Sequence, residues 1–590
     1  MKSAHDSSSS PSSSSVRIRL EPLSVELELP RGASLVPGLA VHGVEFPCGG
    51  IGECSGCQVR VLSGSLPVTE ADSATLTPDQ LGQGWRLACQ ARADEPLVLE
   101  CAQWQMQILA DDELGDEIPT AGDLPKSCAP SIPAVSSREW VGGQSSSSRA
   151  LAIAIDLGTT TIAAQLIDAA GNVLGVETAL NPQAAFGSDV MSRVRAALEG
   201  QDLTTPIRIA LGELVARLTR GRASQVAEVL LVGNSVMHHL FCSLDVEPLA
   251  HVPFQSPHLA EQRFTPRDLA WDLPFHCVIR FARCIGGFVG SDILAGIVAT
   301  GIASSSDLTA LVDLGTNGEI AIGNRHGIVC ASTAAGPAFE AGSIRMGMRA
   351  VTGAIAYVCL AELALSEDAF IDAAPTEDAC TNDALAECTL RPTVIGDVTP
   401  RGICGSGLVD AVAAGLRSGA ILANGRVANG SKIFPIAPPV VLYQSDIREL
   451  QLAKGAIAAG FRLLLKRFAT THEKRLATTG GKGTGFSPYI NQSEKQERAL
   501  APEAQQTLHA IHLAGAFGNY VQIESALRIG LLEAPHALIH AAGNTALRGA
   551  KMLLLAREEP QLPPIEHVSL AADPSFQDEF AACMTFPENL

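Results

Sequence analysis

The tetrapeptide Asp-Leu-Gly-Thr occurs twice in this 590-residue chain, at 156–159 and again at 313–316. Each copy ends an apolar run, ALAIAI before the first and LTALV before the second. Each is followed by polar or small residues, a second apolar run, a glycine-containing turn and a third run. A repeat this long, at such separation, predicts two similar α/β subdomains rather than a solenoid of short units. A chain of this length exceeds what one hydrophobic core organises, so several domains are expected.

A tight turn between two strands aims backbone N–H groups outward, where they can cradle phosphate oxygens. Gly158 and Gly315 allow close backbone approach. Thr159, Thr160 and Thr316 offer hydroxyl donors. Asp156 and Asp313 suit a hydrated Mg²⁺ or an oriented water, because Mg²⁺ takes oxygen ligands and keeps much of its hydration. A single such turn is more often a plain hairpin; two, each after a buried strand, are far more specific.

The segment FPCGGIGECSGCQVRV, residues 46–61, carries Cys48, Cys54 and Cys57, and Cys89 follows in WRLACQ. Thiols this close cannot all pair as disulfides without strain. A zinc site would want a second Cys-x-x-Cys or a histidine pair, which Cys89 does not bring. A plant-type [2Fe–2S] cluster fits best, although the first gap is five residues rather than the usual four. The interleaved glycines and serine suit a loop that wraps a cluster and points N–H groups at sulfur.

The net charge is −20, from 42 basic and 62 acidic residues, which argues against non-specific nucleic-acid binding. No uninterrupted apolar run has transmembrane length, so no membrane span is expected. MKSAHDSSSSPSSSS at the start lacks the apolar core of a secretory signal and reads as a disordered tail, residues 1–15. Of 15 cysteines, most outside the cluster candidates stand singly in apolar runs, as Cys330 and Cys359 do. That pattern suggests buried thiols in a reducing, cytoplasmic setting.

Composition divides the rest. Residues 16–102 alternate as short strands and should form a small, mostly β domain around the cysteines. Residues 103–149 are turn-rich and read as a linker. Residues 150–306 and 307–590 hold one copy of the repeat each. A polar, glycine-rich stretch at about 478–506 looks like an inserted loop.

The paired loops resemble the phosphate loops of the actin, sugar-kinase and heat-shock ATPase superfamily. IHLAGAFGN (511–519) is similar to its adenosine segment, and GGFVGSDILAGI (286–297) and AGNTALRGAKMLL (542–554) to its two crossing helices. With cysteines ahead of such an ATPase, residues 16–590 resemble the reductive activators of corrinoid proteins. NPQAAFGSDVMSRV (181–194), LVGNSVMHHLF (231–241), AAGPAFEAGSIRMG (334–347) and RGICGSGLVDAV (401–412) carry the match. The resemblance implies an N-terminal β-grasp ferredoxin-like domain, a linker, and an α/β, two-lobed ribonuclease-H-like ATPase.

It also implies an activity, in which ATP and one electron from a [2Fe–2S] cluster return a corrinoid protein's cobalt from Co(II) to Co(I). Cys48, Cys54, Cys57 and Cys89 would hold the cluster. Gly158, Thr159, Thr160, Gly315, Thr316, Asn317, Gly515 and Gly518 would bind ATP. Asp156, Asp313 and Asp292 would serve Mg²⁺ or water, although an acid at a helix start such as Asp292 also simply suits the helix dipole. Partners would be the corrinoid protein, an upstream low-potential donor and a second copy of the chain. A plant-type cluster sits near about −400 mV. Each ~59 mV of uphill step costs tenfold, so ATP would have to favour a complex in which cobalt is easier to reduce.

Other features stay open. Ser406, in Gly405-Ser406-Gly407, would present its hydroxyl to phosphate or to a docked corrinoid, or would cap a helix. His238 and His239 suggest cobalt ligands, but neighbours on a helix point to different sides. Glu340, near the nucleotide by resemblance, reads equally as a surface acid. The alternatives are a small-molecule kinase with a fused redox sensor and a non-catalytic electron carrier.

Overall fold

A computed structural model describes residues 15–21, 25–41, 44, 52, 57–76, 78–101, 150–187, 189–351, 353–360, 390–396, 398–428, 430–478, 508–518, 520–556 and 560–588. The chain forms two compact units, Met1–Met106 with Ala184–Ser188, and Gln107–Gln183 with Asp189–Leu590. The tail expected over 1–15, apart from Ser15, and the linker expected over 103–149 lie outside the described residues, as does nearly all of the loop expected at 478–506.

In the smaller unit, Ser15–Glu21 buries Val16, Ile18 and Leu20 and exposes Ser15, Arg17 and Arg19. This period-two alternation makes a half-buried strand. It pairs antiparallel with Val25–Pro30 and parallel with Leu97–Cys101. The sheet runs Val25–Pro30, Ser15–Glu21, Leu97–Cys101, Gln58–Ser63, Trp85–Leu87. Parallel neighbours need a crossover, and part of it is the helix Val36–Val41, which buries Leu39 in the core. First and last strands side by side, with a helix in the crossover, make the β-grasp arrangement.

The larger unit contains two six-stranded sheets that share five strands of one topology; the sixth, Gln262–Phe264 in one and Ile565–His567 in the other, joins opposite edges. In the first, Leu151–Leu157, Thr161–Asp168 and Val173–Leu180 form an antiparallel meander, and Val226–Val232 then Val278–Phe281 add in parallel on the other side. In the second, Leu308–Leu314, Gly318–Asn324 and Gly327–Thr333 form the meander, with Leu508–Ala514 and Ile539–Gly543 added the same way. The repeat read from sequence is thus a repeat of sheets, the ribonuclease-H-like fold in duplicate. The central strands read as continuous apolar runs because both faces are covered.

Two helices exchange sides. Ser291–Thr300 follows the first sheet but buries Ile293 and Ile297 against Leu311 and Ala321 of the second. Thr545–Leu555 follows the second sheet but buries Leu547, Ala550 and Leu554 against Ala152, Ala154 and Leu230 of the first. They cross with almost no separation: a Cβ on Gly549 would stand 2.0 Å from the Ala295 carbonyl oxygen. Only glycine permits that approach. Among the described residues, no helix is long and apolar enough to cross a membrane.

Candidate functional site

In the smaller unit, the register Gln58↔Leu87 places Cys57 beside Ala88, whose N–H donates to the Cys57 carbonyl at 3.0 Å. Cys89 therefore directly follows the residue that faces Cys57, at one end of the sheet. Cys57 is buried, Cys89 half-buried, and neither is in a disulfide. Cys48 and Cys54 lie outside the described residues.

In the larger unit, each loop leaves its first strand at an aspartate and turns. Gly158 N–H donates to Thr161 O, and Gly315 N–H to Asn317 O, both at 3.0 Å. The turns differ in length. Leu157 pairs with Ile162 and encloses residues 158–161; Leu314 pairs with Gly318 and encloses only 315–317. A Cβ on Gly158 would stand 2.6 Å from Thr161 O, whereas one on Gly315 would meet nothing nearer than 3.7 Å. Gly158 is required by its own turn; at Gly315 the space is open.

Three asparagines grip the first loop. Asn181 Nδ2 donates to Gly158 O at 2.9 Å, Asn234 Nδ2 to Thr159 Oγ1 at 3.0 Å, and Asn544 Nδ2 to Asp156 Oδ2 at 2.8 Å. Asn234 and Asn544 are also helix N-caps, accepting from Met237 N and Leu547 N. An N-cap uses the amide oxygen, leaving the NH₂ group to donate elsewhere. None of the three was singled out by sequence reasoning, though each lies in a matched motif and precedes a helix or turn.

Four carboxylates face one another around the loops. Burial pushes Asp156 up to about 6, against the Asn544 hydrogen bond that lowers it. Asp313 rises to about 7 through burial and the charge of Asp156. Asp292 rises to about 8, mainly through burial, with Asp313 and Asp156 adding. Glu319 is held well above the carboxylate range by burial and then by Asp292 and Asp313. Crowded like charges disfavour ionisation. Asp292 is set by its neighbours' backbone, since Ser291 N–H donates to Gly233 O at 2.9 Å. Glu319 escaped the sequence reading; it stands opposite Asp313 across the second turn. Among the described residues, no group of three or more His, Cys, Asp or Glu is placed to hold a metal ion directly. The arrangement suits a cation reached through water.

Glu340, in the short helix Pro337–Glu340, accepts from Thr316 Oγ1 at 2.8 Å and from Thr160 Oγ1 at 3.1 Å. It is therefore not a surface acid. Burial raises its pKa, while these hydroxyls and the charge of Arg193 act the other way. Gly515 has φ +86°, and a Cβ there would stand 2.5 Å from Asp313 Oδ1. Only glycine turns the Leu508–Ala514 strand so close to that aspartate. Gly518 ends the following turn, Gly515–Gly518, in which Phe517 packs on Phe339 at 4.8 Å.

Other candidates are placed elsewhere. Ser406 is not a helix cap: Cys404 is the N-cap of Gly405–Arg417. The Ser406 hydroxyl lies inside the first turn and donates to Ala356 O at 2.9 Å. Glycine on either side lets that turn press on backbone, since a Cβ on Gly405 would stand 1.7 Å from Phe339 O. His238 and His239 do point different ways, one edge-on to Phe281 and the other to Ser256 Oγ at 2.7 Å. Both are fully buried, which removes them as ligands for a partner's cobalt.

Comparison with known proteins supplies the frame for this geometry. A 2Fe–2S iron–sulfur cluster binding domain matches residues 18–94. The RACo middle region matches 151–305, and the C-terminal domain of RACo, the ASKHA domain, matches 307–506 and 498–590. Corrinoid activation enzyme RamQ of Eubacterium limosum is 31% identical over 480 residues, 74% of this chain and 70% of that protein. The chain belongs to this family of corrinoid-activation proteins. A further family member, the [Co(II) methylated amine-specific corrinoid protein] reductase of Methanosarcina barkeri, is 25% identical over 430 residues, covering 69% of this chain and 70% of that one. The solved structure of a reductive activator for corrinoid, iron–sulfur protein superposes with a TM-score of 0.56 at 25% identity, covering 97% of this chain and 98% of the other. Family membership thus accounts for a ferredoxin-type unit and a duplicated ATPase fold in one chain.

Proposed function

We propose that this protein uses ATP to return the cobalt of a corrinoid protein in a methyltransferase system from inactive Co(II) to Co(I). The observation that carries this is the kinship with a corrinoid activation enzyme across three quarters of the chain. Neither curated relative is named for a kinase, so the kinase alternative gains no support.

When bound, the [2Fe–2S] cluster supplies one low-potential electron. Cys48, Cys54, Cys57 and Cys89 would hold it. Of these, Cys57 is buried and Cys89 half-buried, and Cys57 would tie the cluster to the sheet. At the other unit, the turns at Gly158 and Gly315 present N–H groups to ATP phosphates, with Thr159, Thr160, Thr316 and Asn317 as side-chain donors. The Gly515–Gly518 turn receives the adenosine. Asp156, Asp313 and Asp292 would orient the water of a hydrated Mg²⁺, and a divalent cation there would favour their ionised forms. Supported by both lobes, the nucleotide favours one lobe arrangement, and a partner that docks on that arrangement is selected with it. An upstream low-potential donor would reduce the cluster again, and two copies of the chain would assemble; light scattering tests the latter.

The deciding experiment is anaerobic. Protein carrying a dithionite-reduced cluster is mixed with a Co(II) corrinoid protein of a methyltransferase system, and Co(I) is followed by its absorption with and without ATP. Co(I) should accumulate only with ATP. Equal accumulation without nucleotide, or none with it while the cluster stays reduced, would sink the reading.

A further inference from the structure

The carboxylate of Glu340 accepts hydrogen bonds from hydroxyls of both copies of the loop, Thr316 at 2.8 Å and Thr160 at 3.1 Å. A threonine hydroxyl has one proton to donate. While it points at Glu340 it cannot also point at a phosphate oxygen. The same two hydroxyls are among the four side-chain donors that the nucleotide reading assigns to phosphate. Glu340 is also anionic when ionised, so it both occupies the donors and repels the group that would need them.

Its mounting is stiff. Phe339 packs its ring on Phe517 at 4.8 Å, and its carbonyl oxygen presses where a Cβ on Gly405 would lie at 1.7 Å. The turn Pro337–Glu340 therefore cannot swing away as a body without unpacking a helix start. The side chain alone must yield.

We propose that Glu340 is a latch that stands in for the terminal phosphates: it ties the two loops together without nucleotide, and ATP must take Thr160 and Thr316 from it. This rests on the reading that the loops bind ATP. Glu340 is a positioning residue here, acting through the two threonines, and is not assigned a proton-transfer step. Opening the latch makes the loops sense phosphate, not adenosine.

The test measures binding to the full-length protein by calorimetry, using a non-hydrolysable ATP analogue and, separately, adenosine. Glu340→Gln keeps the shape, removes the charge and leaves one acceptor oxygen for two hydroxyls. It should tighten the ATP analogue about tenfold, equivalent to about 1.4 kcal/mol, and leave adenosine affinity unchanged. A second arm guards against a misfolded variant: Thr316→Val should weaken the analogue more in the Glu340→Gln background than in the wild type. In the wild type that change removes latch and phosphate contact together, so the two losses offset; such non-additivity is what a double-mutant cycle reads. Unchanged or weaker analogue binding in Glu340→Gln would overturn the latch. So would unchanged affinity with hydrolysis lost, which would make Glu340 a residue that acts on water. A wild type that binds no adenine nucleotide would instead overturn the reading beneath, and the latch with it.

Discussion

Thr160 and Thr316 belong to different copies of the repeated loop, yet they donate to opposite oxygens of one carboxylate, Oε2 and Oε1 of Glu340. They are not equivalent positions. Thr316 corresponds to Thr159, which is held instead by Asn234. The first turn encloses one more residue than the second, so the same sequence motif delivers a different hydroxyl to the shared acceptor.

The crowded carboxylates predict an unusual pH profile. Asp156, Asp313 and Asp292 have folded-state values of about 6, 7 and 8, all above the ordinary value of 3.8. Between about pH 4 and 8 these three groups bind more protons in the folded protein than in the unfolded chain, so their contribution to stability falls as pH rises; the buried His238 and His512, pushed down to about 4, act the other way below about pH 6.5. Nucleotide-free protein should melt at progressively lower temperature from pH 6.5 to pH 8, and Asp292→Asn should flatten that slope. Melting curves across this range that rise with pH would contradict the assignment. Added Mg²⁺ should raise the melting temperature more at pH 8 than at pH 5.

Asn544 both caps its helix and holds Asp156. Asn544→Ala should cost about 1 kcal/mol for the lost cap. It should also remove the one hydrogen bond that lowers the Asp156 pKa, so that ATP binding weakens most near neutral pH. Binding measured at pH 6 and pH 8 checks this; a uniform loss would mean the cap alone matters.

The helix crossing has no spare room. In an ordinary helix, Gly→Ala gains roughly 1 kcal/mol. Gly549→Ala should instead destabilise by about 1–3 kcal/mol, the usual cost of overpacking, because its methyl group would fall 2.0 Å from a backbone oxygen. Chemical denaturation of the larger unit gives the sign directly.

Cys89 sits half-buried at the sheet end, directly after the residue that faces the buried Cys57. Cys89→Ser should abolish or strongly shift the EPR signal of dithionite-reduced protein while ATP binding stays intact. Retention of an unaltered signal would remove Cys89 from the ligand set.

Much of the architecture is legible in the residues themselves. Apolar runs bounded by glycine turns, met twice, determine two meanders, because side-chain period and turn chemistry are local. The crossing of the helices that carry Gly296 and Gly549 comes from the family resemblance, not from local pattern. The cysteine spacing identifies thiols for a cluster, although pairing Cys57 with Cys89 needs the Gln58↔Leu87 register.

What the sequence alone does not determine is convergence. Asn181, Asn234 and Asn544 are spread across most of the larger unit, yet all grip one loop. Glu319 gains its meaning only from lying opposite Asp313, and Glu340 only from lying within reach of both loops. The two helices on either side of the repeat also trade sheets, which no local pattern encodes. The physical reason is range: periodicity and turn type are set by neighbours in the chain, whereas a hydrogen bond between residues hundreds of positions apart exists only once strand register and helix packing have placed both ends.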